Sequence, residues 1–196
     1  MRFRSENLLC PWLACVLAAF LLAAPAFAQD RVFTADPAQS HVDFTLGDVL
    51  HTVHGTFRLK SGRLHFNIAT GIADGQLVVD AESGDSGNKS RDGKMKKEIL
   101  ETQKYPEIVF TAQKVKGTIA TQGKSQVELD GIMMLHGQPH PMELTVPLDV
   151  NGSVVSANVP FEVPYVKWGL KNPSTLFLRV SDKVQINVHM VGKFTQ

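Results

Sequence analysis

"GIMMLHGQPHPMELTVPLDV", residues 131–150, sets apolar side chains at Met142, Leu144, Val146, Leu148 and Val150, with Glu143, Thr145, Pro147 and Asp149 between them. A period of two belongs to a strand with one face buried and one face wet. The apolar run Ile132–Leu135 precedes it, and "QPHP" (138–141) lies between the two. The segment therefore reads as a β-hairpin closed by a loop containing glycine and proline. Pro147 has no N–H to give a ladder, so a bulge or a local edge is expected there.

The same alternation extends in both directions. Val42, Phe44 and Leu46 alternate with His41, Asp43 and Thr45, and the pattern returns at Phe57 and Leu59, at Leu64, Phe66 and Ile68, at Leu77 and Val79, and at Ile108, Phe110 and Ala112. Beyond "NGS" (151–153) it resumes at Val155, Ala157, Val159 and Phe161, and it ends with Val184, Ile186, Val188 and Met190. "SG" (61–62), "ADG" (73–75) and "QG" (122–123) read as turns between runs. About eight or nine short strands with short connections imply an all-β antiparallel barrel or sandwich, and the period does not choose between them.

One stretch breaks the rhythm. In "SRDGKMKKEILETQKYPEIVF" (90–110), Met95, Ile99 and Leu100 recur at three-to-four spacing. This predicts a short helix with Ser90 as N-cap, ended before Tyr105 by Pro106. So narrow an apolar stripe covers only a small opening, such as one end of a barrel. Met95 and Ile99 would then turn inward and "KSRDGKMKK" would face water.

Residues 1–28 are set apart from the fold. Arg2 and Arg4, the apolar run "LACVLAAFLLAA" (13–24) and the small-x-small "AFA" (26–28) form a signal peptide, with cleavage expected after Ala28. The run is shorter than the roughly 20 apolar residues of a spanning helix, and Pro25 interrupts its end. Cys10 and Cys15 leave with the leader, and Cys15 is poorly placed for lipidation. The mature domain, 29–196, thus has no thiol for a disulfide, a thiolate metal site or a nucleophile. Of 20 basic and 19 acidic residues, Arg2, Arg4 and Glu6 lie in the leader, which leaves 18 of each sign. A mature charge of zero argues against a nucleic-acid binder or a polybasic membrane-surface protein.

Five motifs in order resemble those of the YceI-like, polyisoprenoid-binding proteins. They are "DPAQSHVDF" (36–44), "GTF" (55–57), "RD" (91–92), "YPEIVF" (105–110) and "GIMMLHGQPHP" (131–141), the last with Met133 in place of a leucine. The resemblance covers most of the mature chain. It implies an eight-stranded antiparallel lipocalin-like barrel with a short helix over one end, and an exported, periplasmic or secreted protein. It further implies that the interior tube holds a long isoprenoid, either a quinone or a prenyl diphosphate. No catalytic set and no cofactor come with the family, so a binding protein is expected.

The inward positions by alternation include Val42, Phe44, Phe66, Phe110, Leu144, Val146 and Phe161. An eight-stranded barrel is filled by its own side chains or holds one ligand. If the tube is hollow, about ten buried carbons at roughly 0.8 kcal/mol each would supply on the order of 8 kcal/mol, near micromolar affinity before ordering costs. Lys89, Arg91 and Lys94, with Lys96 and Lys97, would favour an anionic headgroup, though a solvated helix face is the commoner meaning of such a run. Tyr165 and Trp168 in "VPYVKWGL" (163–170) suit a pocket mouth or a packed loop.

Three other readings compete. A filled barrel would act as a periplasmic stress or accessory protein for a membrane partner. A metal protein would draw on His51 and His54, or on His136 and His140, the latter two expected on the hairpin loop. His41, His65 and His189 fall on outward strand positions, and no H-E-x-x-H is present. A hydrolase lacks G-x-S-x-G. Transient membrane contact and a homodimer are compatible with this composition.

Overall fold

The computed structural model describes residues 30–47, 52–174 and 179–195. The expected leader with its expected cleavage site, and His51, lie outside the described residues. Nine strands are present among these: β1 (Asp30–Ala35), β2 (His41–Gly47), β3 (Thr52–Asn67), β4 (Ile72–Asp85), β5 (Glu107–Gly117), β6 (Gly123–Leu135), β7 (Gln138–Asn151), β8 (Val154–Val163) and β9 (Val184–Thr195). All pairings are antiparallel, and the ring runs β3–β4–β5–β6–β7–β8–β9 and back to β3 through β1 and β2. This is the all-β barrel expected, and the sandwich is set aside.

Nine strands make eight staves because β1 and β2 occupy one. Both bridge β9 and β3, β1 through Phe33↔Phe194 and Phe33↔Leu64, β2 through Val42↔Val188 and Val42↔Phe57. The break between them is the "DPAQS" corner. Asp36 Oδ1 accepts from Ala38 N–H at 3.0 Å, turning the chain. Buried Ser40 then restores the ladder: its hydroxyl donates to the Val191 carbonyl at 3.1 Å and accepts the Val191 N–H at 3.0 Å. A side chain here does what a backbone pair does elsewhere, which explains why a serine stands at that position.

Two turns expected from glycine are not turns. Gly62 lies inside β3 and Gly75 inside β4, each near a register shift. A methyl group on Gly62 would collide with Ala35 and Leu77, so that glycine marks close approach of neighbouring strands. The β3–β4 connection is Ile68–Gly71 instead.

The β6–β7 turn is also shorter than expected. His136 and Gly137 alone form it, and "QPHP" runs on as strand. Register explains why prolines are tolerated there. In two-residue hairpins the flanking residues exchange hydrogen bonds, so Leu135↔Gln138 turns even-numbered residues of β7 toward β6 and odd-numbered ones toward β8. The β7–β8 ladder holds only from Leu148↔Ala157 to Asn151↔Val154. Pro139, Pro141 and Pro147 therefore place their missing N–H where β7 has no partner, and Pro160 does so on β8. The local edge expected at Pro147 is present.

α1 (Lys89–Lys94) follows β4 and runs straight into a wider turn, Met95–Ile99, in which Leu100 N–H donates to the Met95 carbonyl at 2.9 Å. The cap is Asn88, not Ser90: the Asn88 side chain accepts from Ser90 N–H at 3.0 Å and Arg91 N–H at 3.1 Å. The widened turn keeps Met95, Ile99 and Leu100 on the barrel side, where they join its apolar clusters.

Candidate functional site

The strands close around a cavity of about 640 Å³. Val42, Phe44, Phe66, Phe110, Leu144, Val146 and Phe161 all line it, as do Met95 and Ile99 from the helical end and Tyr165 from the loop after β8. Its volume lies within the roughly 300–1,000 Å³ of small-molecule sites. The interior is hollow, although rows of phenylalanine face it.

Glycines on neighbouring strands account for the hollow. Phe44 lies opposite Gly55, and the Phe110 ring lies over Gly131. A methyl group at either glycine would overlap the ring, so each phenylalanine lies flat along the wall instead of crossing the lumen. Core packing at native density would otherwise fill this space.

The two ends differ. At one, Phe33, Phe66 and Phe194 meet edge to face, with Phe194 centroids 6.0 Å from Phe33 and 6.5 Å from Phe66. The Arg31 guanidinium sits 5.6 Å over the Phe194 ring. At the other end stand Ser86, Asn88, Ser90, Arg91 and Lys94, which are the polar lining residues apart from Tyr165 and Ser156.

Arg91 and Asp92 anchor this polar end. Arg91 Nε donates to Ser86 Oγ at 2.8 Å and Nη2 to the Ser86 carbonyl at 2.7 Å. Asp92, buried, accepts the Ser86 N–H at 2.9 Å and the Ser86 hydroxyl at 2.5 Å. The pair grips three groups of one residue and ties α1 to the end of β4. The helix face is thus not wholly turned to water, and Arg91 holds structure as well as lining the cavity. Lys94 lines it too, whereas Lys89 is exposed and outside the lining.

Tyr165 and Trp168 part company. Buried Tyr165 lines the cavity and donates its hydroxyl to the Ser181 carbonyl at 2.6 Å, fastening the loop after β8. Burial first, and Asp182 second, push its phenol up. Trp168 does not reach the cavity: it stacks on His140, centroids 4.0 Å apart and planes 5° from parallel. His140 is on β7, not in a loop, and its buried Nε2 has no hydrogen-bond partner. Burial holds that imidazole below its usual range.

Sequence reasoning missed lining residues of two kinds. Phe33 on β1, and Met133 and Leu135 on β6, lie in alternating runs and were within reach of the period. Leu170, Pro173 and Val180 line the cavity from irregular chain, where no period points inward.

The described histidines lie apart from one another in the fold, save for one surface pair. His41 and His189 sit side by side, ring centroids 5.0 Å apart, and His65 pairs with Asp74 at 3.0 Å, all on the outer surface. His136 packs against Tyr105, centroids 4.6 Å apart and planes tilted by 55°. Among the described residues no three His, Cys, Asp or Glu side chains are placed to hold a metal ion.

The family model for the YceI-like domain matches residues 33–192. Among solved structures, Burkholderia cenocepacia BcnA is similar at 19% identity and a TM-score of 0.66, over 80% of this chain and 98% of that one. A polyisoprenoid binding domain from Saccharophagus degradans, implicated in plant cell wall breakdown, is similar at 18% identity and 0.61, over 82% and 97%. The Campylobacter jejuni YceI protein gives 16% and 0.58, over 75% and 88%. These likenesses are of fold. A comparison with curated proteins finds no match.

Proposed function

Because this chain belongs to the YceI-like family, we propose that it is an exported protein that holds a long apolar lipid in its barrel, an isoprenoid quinone or prenyl diphosphate first and a fatty acyl amphiphile second. One observation carries the reading: an apolar cavity of about 640 Å³ runs through the barrel interior. A barrel filled by its own side chains would leave no such volume. The printed description of the Saccharophagus domain as polyisoprenoid-binding supports the ligand class, and the leader 1–28 supports export. Binding is proposed in place of catalysis because the lining supplies grease and a few positioning groups, not a nucleophile held beside a base.

Titration of lipid-free protein with an isoprenoid quinone and with a prenyl diphosphate tests this. Micromolar or tighter binding of either is expected; an affinity for neither overturns it. Lys94→Gln refines the headgroup, since Lys94 faces the cavity without gripping Ser86. The variant should lose a few-fold in diphosphate affinity and nothing in quinone affinity, with the difference fading at high salt. Replacing Arg91 as well would confound the result by loosening α1. Recovery of a mature chain beginning at Gln29 from periplasmic extract tests export, and an uncleaved chain in the cytoplasm would contradict it.

A further inference from the structure

The cavity has a wet end and a dry end, so a lipid inside it has one orientation. Ser86, Asn88, Ser90, Arg91 and Lys94 surround one end, while Phe33, Phe66, Phe194 and Ile119 face the lumen at the other, where Ser156 is the one polar lining residue nearby. A polar head belongs with the first group and a tail tip with the second. The dry end is also shut. Behind Phe194 lies the Arg31 guanidinium, whose Nη1 donates to the Ala120 carbonyl at 3.4 Å and so ties the β5–β6 connection across the barrel floor.

A shut floor makes the barrel a ruler. Val184 and Phe194, ten residues apart on regular β9, both line the cavity. At about 3.3 Å per residue and a tilt near 40°, that span is roughly 25 Å along the axis. A hydrocarbon zigzag of bonds near 1.5 Å at about 111° advances about 1.25 Å per bond, giving roughly 20 carbons.

We propose that this barrel measures its ligand's tail, accommodating about twenty chain carbons, or about five isoprene units at four chain carbons each, with the tip seated on Phe33, Phe66 and Phe194. The proposal rests on the lipid-binding reading above and adds a limit to it. Longer polyprenyl chains gain nothing from carbons beyond that length, because the surplus stays in water at the helical end.

A series of prenols of about two to eight isoprene units tests it, titrated into lipid-free protein. Each methylene buried multiplies affinity by about four. Affinity should therefore climb steeply through farnesol and geranylgeraniol to about five units and then level off. Phe194→Ala should move the plateau to longer chains and raise octaprenol affinity by at least tenfold. Phe194→Leu, a milder change that keeps the floor packed, should move it by about one unit. Val150→Ala, nearby in the same core but outside the lining, should leave the plateau in place. A climb that continues undiminished to octaprenol, or a plateau indifferent to both Phe194 variants in folded protein, overturns the ruler while leaving lipid binding intact. Failure of every prenol to bind overturns the underlying reading and the ruler with it.

Discussion

At the floor of the barrel, Phe33, Phe66 and Phe194 interlock above Arg31, and Val150 and Val155 are almost fully buried beside them. At the roof, a six-residue helix and a widened turn rest on the barrel through half-buried Met95, Ile99 and Leu100, and a single serine is gripped by Arg91 and Asp92. The floor is packed as a core is packed, and the roof is held by a few contacts. Regions with little buried apolar area open at lower free energy than the core. The contrast makes the floor the more stable end and the roof the first to open, in one continuous barrel.

Substitutions at the two ends should separate these roles. The largest effect is expected from Phe33→Ala, which leaves a hole in the floor: a loss of about 3–5 kcal/mol and a melting temperature lower by about 10 °C in calorimetry. At the roof, Asp92→Ala strands the Ser86 N–H and hydroxyl in a partly buried site, at about 1–3 kcal/mol. Hydrogen exchange should then speed in residues 86–100 while the floor amides keep their protection. Equal deprotection of both ends would show that they are not separate.

Tyr165→Phe should cost about 1 kcal/mol through the lost bond to Ser181. It also carries a pH signature. The folded phenol holds its proton longer than the unfolded one, so its stability contribution is complete below about pH 10 and is lost as pH rises through the higher folded value. The variant should show a flatter alkaline limb in chemical denaturation.

The smallest effect is at His140. Its folded imidazole resists protonation, so the stability it allows above about pH 6.5 falls as pH drops through its lower folded value. Trp168, the one tryptophan among the described residues, is stacked on it and reports the event. Its fluorescence should titrate with a midpoint below pH 6.5, and His140→Gln should abolish that step.

The strand faces were legible because alternation is a local property: each of the seven inward positions assigned from the period lines the cavity. What escaped was set by neighbours in space. Gly62 and Gly75 look like turn residues in the chain, and only the adjacent strand shows that they relieve crowding in β3 and β4. Pro139 and Pro141 look like a loop, and only the missing β8 partner makes a strand affordable to them. Ser90 was a plausible cap by type, yet Asn88 took the role because its side chain reaches two free amides. Trp168 looked like a mouth residue, and its stacking on His140 depends on a loop path that no period encodes.

Native mass spectrometry of the protein recovered from cells without added lipid decides whether the barrel carries a lipid. Added mass should leave on collision as one lipid species whose hydrocarbon tail is about twenty chain carbons long. Protein that emerges bare, and stays bare after exposure to prenols and quinones, would contradict a lipid-carrying barrel.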